Sequence, residues 1–242
     1  MHWSDSLSAS PPYRWTLLAA LALSATYWWI RSRKNPAMLP VYIGALGGAF
    51  LGAKVLYLLA EGWRDWDMAD RWFRLATGKT VVGGLLGGYA GVEFMKWAIG
   101  YRKSTGDAFA LIAPLGIALG RVGCVLQGCC LGQPTTNRLL AMRDPEGVPR
   151  WPSAPVELVF QLVMFGLLFV LRKRPEWQGR LFFLYLLCYG VFRFLHEWMR
   201  VTPKLAGVIS VYQIAALVMA GLGALMLVRR RNAEGMAPAE SR

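Results

Sequence analysis

Seven apolar runs separated by short polar segments dominate the chain, at residues 15–30, 39–60, 80–100, 107–126, 155–171, 181–200 and 206–228. Several approach the ~20 residues with which a helix crosses a bilayer. This pattern predicts an all-α, polytopic membrane protein of about seven transmembrane helices, with residues 1–242 forming a single integral membrane domain. Two polar stretches do not fit a span. Residues 61–79 mix charges with Trp63, Trp66 and Trp72, which suits an amphipathic segment at the outer interface. Residues 133–153 read as an outer loop rich in Pro, Thr and Arg.

Within the runs, small residues recur at helical spacing. Gly44, Gly48 and Gly52 mark one stripe, and Gly83, Gly84, Gly87, Gly88 and Gly91 mark two more. Such stripes let membrane helices approach closely. They also leave backbone open to a ligand, so Gly83 and Gly84 are candidates for lipid contact as well as for packing.

Charge refines the topology. The formal net charge is +13. The Lys and Arg residues sit in short loops between apolar runs, where they set orientation, and this placement argues against a nucleic-acid partner. Arg31, Arg33 and Lys34 follow the first run, the reverse of a signal peptide's charge order. With Arg102 and Lys103, then Arg172, Lys173, Arg174 and Arg180, then Arg229 to Arg231, they predict an outer N-terminus and an inner C-terminus. Residues 229–242 are expected to form a flexible cytoplasmic tail. On this topology Lys54, Gly83, Gly84, Arg121, Arg193, Arg200 and Gln213 all fall in the outer half of the membrane.

Arginine beside a hydrophobic span is costly and marks a functional site by default. Arg121 lies in GRVGCVLQGCCLG, residues 120–132. Arg193, Glu197 and Arg200 follow one another at i, i+4 and i+7, one face of a helix, with His196 beside them. Glu197 between two arginines leaves a net positive face that can hold a phosphate, and Arg121 would add a second bidentate donor. Three of the four cysteines, Cys124, Cys129 and Cys130, crowd the segment that follows Arg121, and the fourth is Cys188. The C-x4-C-C spacing is not a zinc-ribbon pattern, so no metal or other cofactor is expected. A redox pair joining Cys124 to Cys129 or Cys130, a cysteine nucleophile and simple apolar packing remain open readings.

These motifs resemble those of the prolipoprotein diacylglyceryl transferase family. The resemblance runs from about Gly44 to Gln213 through GALGGAFLGAK, VGGLLGG, GRVGCVLQGCCLG, RWPSAPVELVFQ and YGVFRFLHEWMR. It implies a seven-helix enzyme of the bacterial inner membrane whose site opens to the outer leaflet. It implies transfer of a diacylglyceryl group from phosphatidylglycerol to the thiol of a lipobox cysteine, with glycerol phosphate as the second product. The family's histidine before the paired glycines corresponds to Val82. Its two signature asparagines correspond to Cys124 and Gln127, its glutamate to Cys129, its second-span arginine to Lys54, and the tyrosine before Glu157 to Val156.

The reaction requires a thiolate to attack a glycerol carbon while a phosphate leaves, so a base and positive donors are needed. Arg121, Arg193, Glu197, His196, Cys124, Cys129 and Cys130 are the expected catalytic groups, with His196 or Glu197 handling the proton. Arg121, Arg193, Arg200, Lys54, Gly83, Gly84, Gln127 and Gln213 are the expected lipid and phosphate contacts. The expected partners are phosphatidylglycerol or a related phospholipid, and a lipobox-bearing protein or another thiol acceptor. Alternatives are a related enzyme with a different acceptor that uses its cysteines, or a silent relative that binds phospholipid.

Overall fold

The computed structural model describes residues 11–137, 140–205 and 207–235. Seven long helices organise it: α1 (Pro11–Lys34), α2 (Met38–Tyr57), α3 (Val81–Ala98), α4 (Gly106–Leu126), α5 (Ser153–Leu171), α6 (Leu181–His196) and α7 (Val211–Gly235). The only strands among the described residues are β1 (Met142–Arg143) and β2 (Pro149–Arg150), paired antiparallel with Met142 opposite Arg150. The protein is an all-α membrane protein, as the apolar runs predict. Among the described residues, five segments are long and apolar enough to cross a bilayer: Met38–Asp65, Gly106–Leu126, Ser153–Leu171, Leu181–Met199 and Val211–Asn232. The other two long helices are diluted, α1 by Trp, Tyr and Arg, and α3 by its glycines with Glu93 and Lys96.

Two helix starts show why the chain folds where it does. Thr80 caps α3, its Oγ1 accepting from the Gly83 amide at 3.2 Å. Ser210 and Gln213 cap α7 reciprocally: the Gln213 amide donates to Ser210 Oγ at 3.1 Å, and the Ser210 amide donates to Gln213 Oε1 at 2.9 Å. This cap starts α7 at Val211, five residues later than the apolar run suggests, just after the Leu205–Ile209 bridge.

Helices α2 and α3 pack backbone to backbone. A Cβ on Gly48 would lie 2.2 Å from the Gly87 carbonyl oxygen, and one on Gly87 would lie 2.2 Å from that of Gly48. Gly44 with Gly91, and Gly52 with Gly83, repeat the contact one turn away on either side. The glycine stripes are therefore a zipper that any side chain would force apart. Gly84 lies off this seam, where a Cβ would meet only ordinary contacts near 3.7 Å.

The other helices pair α6 with α7, α4 with α5, and α1 with α4. The main core lies between α5, α6 and α7, around Met164, Leu168, Leu181, Tyr185, Leu186, Tyr189 and Met219. Val82 of α3 is buried in the same cluster.

Two expectations are corrected. The last helix does not stop at Arg229 to Arg231; it continues through them to Gly235, so residues 229–235 are helical and only 236–242 of the expected tail lie outside the described residues. The sixth span does not stay α-helical to Arg200. It tightens into a 3-10 turn at Glu197–Met199, and Arg200 is extended, at φ −98 and ψ 152.

Candidate functional site

The sixth span ends in the site, and its tightening decides how. In a continuous α-helix Arg193, Glu197 and Arg200 would be stacked on one face. The 3-10 turn instead swings Arg200 out of the helix while leaving it near Glu197. Arg193 Nη2 pairs with Glu197 Oε2 at 2.7 Å, and Arg200 Nε lies 3.8 Å from the same oxygen. Ser210, held by the α7 cap, donates its hydroxyl to Glu197 Oε1 at 3.4 Å. Gln213 thus serves the site through Ser210. Its carbonyl oxygen is committed to the cap, and its buried Nε2 has no partner within the protein.

A second buried carboxylate completes the electrostatics. Glu157 of α5 is 0% exposed. Arg121 Nη2 of α4 pairs with its Oε2 at 2.9 Å, and the Tyr189 hydroxyl of α6 donates to its Oε1 at 2.7 Å. Below it, Tyr185 donates to Gln161 at 2.8 Å. Arg193 and Arg200 also act on Glu157 through their fields, so the two ion pairs form one neighbourhood. Sequence reasoning missed Glu157 as the partner of Arg121. Its signal was a lone acid in an apolar run, which at a cost of several kcal/mol per buried ion must face a cation.

The charge balance is uneven. Three guanidiniums, Arg121, Arg193 and Arg200, meet two carboxylates, Glu157 and Glu197. Nη1 of Arg193 and both Nε and Nη1 of Arg200 are buried without a hydrogen-bond partner inside the protein. Buried charged donors are costly when unmet. Together they present a fork of N–H groups suited to the oxygens of an anion.

His196 is buried beside this fork and stacks on Phe192 with ring centroids 5.0 Å apart. Its Nε2 accepts from the Trp151 indole N–H at 3.2 Å. That bond occupies the one basic lone pair of the neutral ring and leaves the proton on Nδ1, which has no partner in the protein. His196 positions Trp151 more readily than it accepts a proton.

The loop that joins α4 to the site is built on two left-handed residues, Gly128 at φ 63 and Cys130 at φ 61. Gly132 then passes between two segments of the chain, at Trp151 and Met199. Its amide donates to the Trp151 carbonyl at 2.7 Å, and a Cβ there would sit 2.3 Å from the Met199 carbonyl oxygen. Gln133 continues the tie, donating its amide to Met199 at 2.9 Å and accepting from the Trp151 amide at 2.9 Å. Gln127 caps the end of α4 with its own amide. The three thiols gather at this turn. Arg121 Nη1 is 3.9 Å from Cys124 Sγ, Cys130 Sγ is 3.9 Å from that of Cys124, and Cys129 Sγ is 3.6 Å from that of Cys130. Hydrogen bonds within the cluster, from Cys124 and then Cys129, hold the Cys130 thiol below its usual range, and the charges of Arg121 and Arg200 act in the same direction.

Arg121, Arg193, Arg200, Glu197, His196, Cys124, Cys129 and Cys130 thus fall in one region. Lys54 and the paired glycines do not join it through any contact of their own. Lys54 Nζ points to the Gly78 carbonyl at 3.5 Å and lies over the Tyr57 ring. Gly83 packs on the carbonyl of Gly52. One further acid approaches from a different direction: Glu61, on the π-helical turn Leu58–Gly62 that extends α2, hydrogen-bonds Tyr212 of α7 and feels both Glu197 and Arg200.

Fold and site together define a helical membrane protein with a buried arginine–carboxylate centre at the ends of α4, α5 and α6. The model of the family described as prolipoprotein diacylglyceryl transferase matches residues 12–229, and the chain belongs to that family. A phosphatidylglycerol–prolipoprotein diacylglyceryl transferase of Chlorobaculum tepidum is 30% identical over 219 residues, covering 79% of this chain and 75% of the relative. The protein of that name from Azotobacter vinelandii is 26% identical, covering 90% and 86%, and that from Clostridium tetani is 29% identical, covering 67% of each.

Proposed function

We propose that the chain is an inner-membrane transferase that moves the diacylglyceryl group of phosphatidylglycerol to a thiol, the lipobox cysteine of a prolipoprotein. The observation that carries this reading is the set of buried guanidinium N–H groups on Arg193 and Arg200 that have no hydrogen-bond partner within the protein, where three guanidiniums meet two ion-paired carboxylates. A phosphodiester fits that set in charge and shape. The names of the relatives supply the donor and acceptor.

In the proposed reaction the acceptor's thiolate attacks the glycerol carbon that bears the phosphate. The carbon–sulfur bond forms, the carbon–oxygen bond to phosphate breaks, and glycerol phosphate leaves with the electron pair. Arg193 and Arg200 hold the phosphate as charge develops on it, a contribution worth roughly a hundredfold to a thousandfold per donor. Arg121, clamped by Glu157 and Tyr189, adds a fixed positive charge behind them. Glu197 is the proton acceptor, since its Oε1 is held only by the Ser210 hydroxyl, whereas His196 is engaged by Trp151. The cysteines are set apart from the transfer itself, because a thioether formed on them would not pass its lipid to a second thiol. The site faces the outer leaflet, with the N-terminus outside and the C-terminus inside, a placement supported by the basic clusters near the C-terminal ends of α1 and α7 and directly after α5.

The test is a turnover assay on purified protein with acyl-labelled phosphatidylglycerol and a lipobox peptide, read by mass spectrometry. The expected result is a thioether-linked peptide and glycerol phosphate, both lost in Arg193→Ala. Glycerol phosphate without a lipidated peptide would replace the acceptor. No lipid chemistry would leave only phospholipid binding.

A further inference from the structure

Among the described residues, one place brings three metal-ligating side chains together: the turn after α4, where the sulfurs of Cys124, Cys129 and Cys130 all lie within 4.8 Å of one another. We propose that these three thiols form a binding site for a thiophilic d10 cation, copper(I) or zinc(II), beside the arginine centre. The proposal does not depend on the transferase reading.

Geometry supports a metal over a disulfide. An ion bound at about 2.3 Å to three sulfurs holds them about 3.8–4.0 Å apart. The separations here are 3.6 Å for Cys129 with Cys130 and 3.9 Å for Cys130 with Cys124. A disulfide needs about 2.05 Å, so either pair would have to close by more than an ångström and leave the third thiol out. The sulfurs are already close to where an ion would hold them.

The backbone supports it as well. Cys130 sits in the left-handed region at φ 61, which a residue with a side chain rarely adopts, two residues after Gly128 at φ 63. These two reversals let residues six apart in sequence converge from the end of a helix and the loop beyond it. The ligand set also fits its electrostatic surroundings. Three thiolates carry more negative charge than either ion neutralises, and Arg121, 3.9 Å from Cys124 Sγ, stands where it offsets the excess. Cys124 is buried while Cys129 and Cys130 are half-buried under the exposed Gly128 and Leu126, so an ion has a way in. All-sulfur donors favour copper(I) and zinc(II) over harder cations. Each thiol that is still protonated releases its proton on binding.

The experiment is an anaerobic titration of the reduced, purified full chain with copper(I), and separately with zinc(II), against a chromophoric chelator. The expected result is one equivalent of at least one ion held against the chelator. Cys124→Ser, Cys129→Ser and Cys130→Ser should each weaken it at least tenfold, and Cys188→Ser should bind as the wild type does. Because serine in this turn can disturb folding, X-ray absorption on the loaded wild-type protein gives an independent reading, expected to show three sulfur neighbours. The proposal is overturned if neither ion is held in stoichiometric amount, if the three serine variants bind as tightly as the wild type, or if the absorption shows nitrogen or oxygen neighbours in place of sulfur. A protein isolated with an intramolecular disulfide that takes up no ion after reduction would likewise overturn it in favour of a redox pair.

Discussion

Two regions of the molecule carry the residues that set this chain apart, and they are held together by opposite means. The α2–α3 pair is joined by absence: glycines at Gly44, Gly48, Gly52, Gly83, Gly87 and Gly91 remove side chains so that backbones touch. The α4–α5–α6 side is tied through a buried charge: Glu157 of α5 pairs with Arg121 of α4 and accepts from Tyr189 of α6, while Arg193 and Arg200 pair with Glu197 within the sixth span. At the seam of the first, backbone meets backbone with no side chain between. The second retains buried donors with no protein partner. Unusual residues within apolar helices therefore do not share one role. The zipper fixes a frame, and the ionic side keeps capacity for a ligand.

Substitutions should separate the two. The largest effect is expected at the zipper. Gly87→Val places carbon well inside contact distance of the Gly48 carbonyl, so α2 and α3 must part. Folded yield in detergent should collapse, as read by size-exclusion chromatography. Gly47→Ala, one residue from Gly48 but with open space around its Cβ, should behave as wild type to within about 1 kcal/mol. If both glycines tolerate substitution equally, the zipper is not what joins the helices.

Next in size is Glu157→Gln. It leaves Arg121 buried beside a neutral amide, a loss of about 3–5 kcal/mol for breaking such a pair. Thermal unfolding should shift well below the wild type. Retention of the wild-type midpoint would show that Arg121 does not depend on this partner. Arg193→Lys is more selective. It keeps a charge near Glu197 but loses the planar fork, so turnover should fall roughly tenfold to a hundredfold with folding largely intact.

Much of this division was legible in the residues. Helix periodicity and glycine spacing located α2 and α3 to within a few residues, because packing of small side chains is a local, repeating pattern. Arg193, Glu197 and Arg200 announced themselves by spacing. Two things could not be read. The pairing of Arg121 with Glu157 depends on α4 and α5 lying side by side, which no local pattern encodes. The capture of His196 by Trp151 depends on a loop returning across the site. The surroundings of Lys54 depend on packing in the same way: its helix packs on α3, and its amine points to the Gly78 carbonyl at 3.5 Å.

A smaller effect tests that loop. Arg150 holds the Asp144 carboxyl below the usual carboxylate range, and Asp144 in turn accepts from the Val148 amide at 2.8 Å. A depressed folded pKa means the contribution is present above the ordinary carboxylate pKa and lost as the pH falls through the folded value. Amide exchange at Val148 should therefore speed up in acid relative to the intrinsic rate. Asp144→Ala should raise it several-fold at neutral pH and remove the acid response. An unchanged rate would show that the hairpin holds without this pair.

The central claim is that Arg193 and Arg200 hold the phosphate of a phospholipid. Native mass spectrometry of protein released from membranes containing phosphatidylglycerol tests it most directly. The wild type should carry one phosphatidylglycerol that survives mild activation. Arg193→Lys combined with Arg200→Lys should lose it while Gly47→Ala retains it. A double variant that keeps the lipid and turns it over at the wild-type rate would contradict the account.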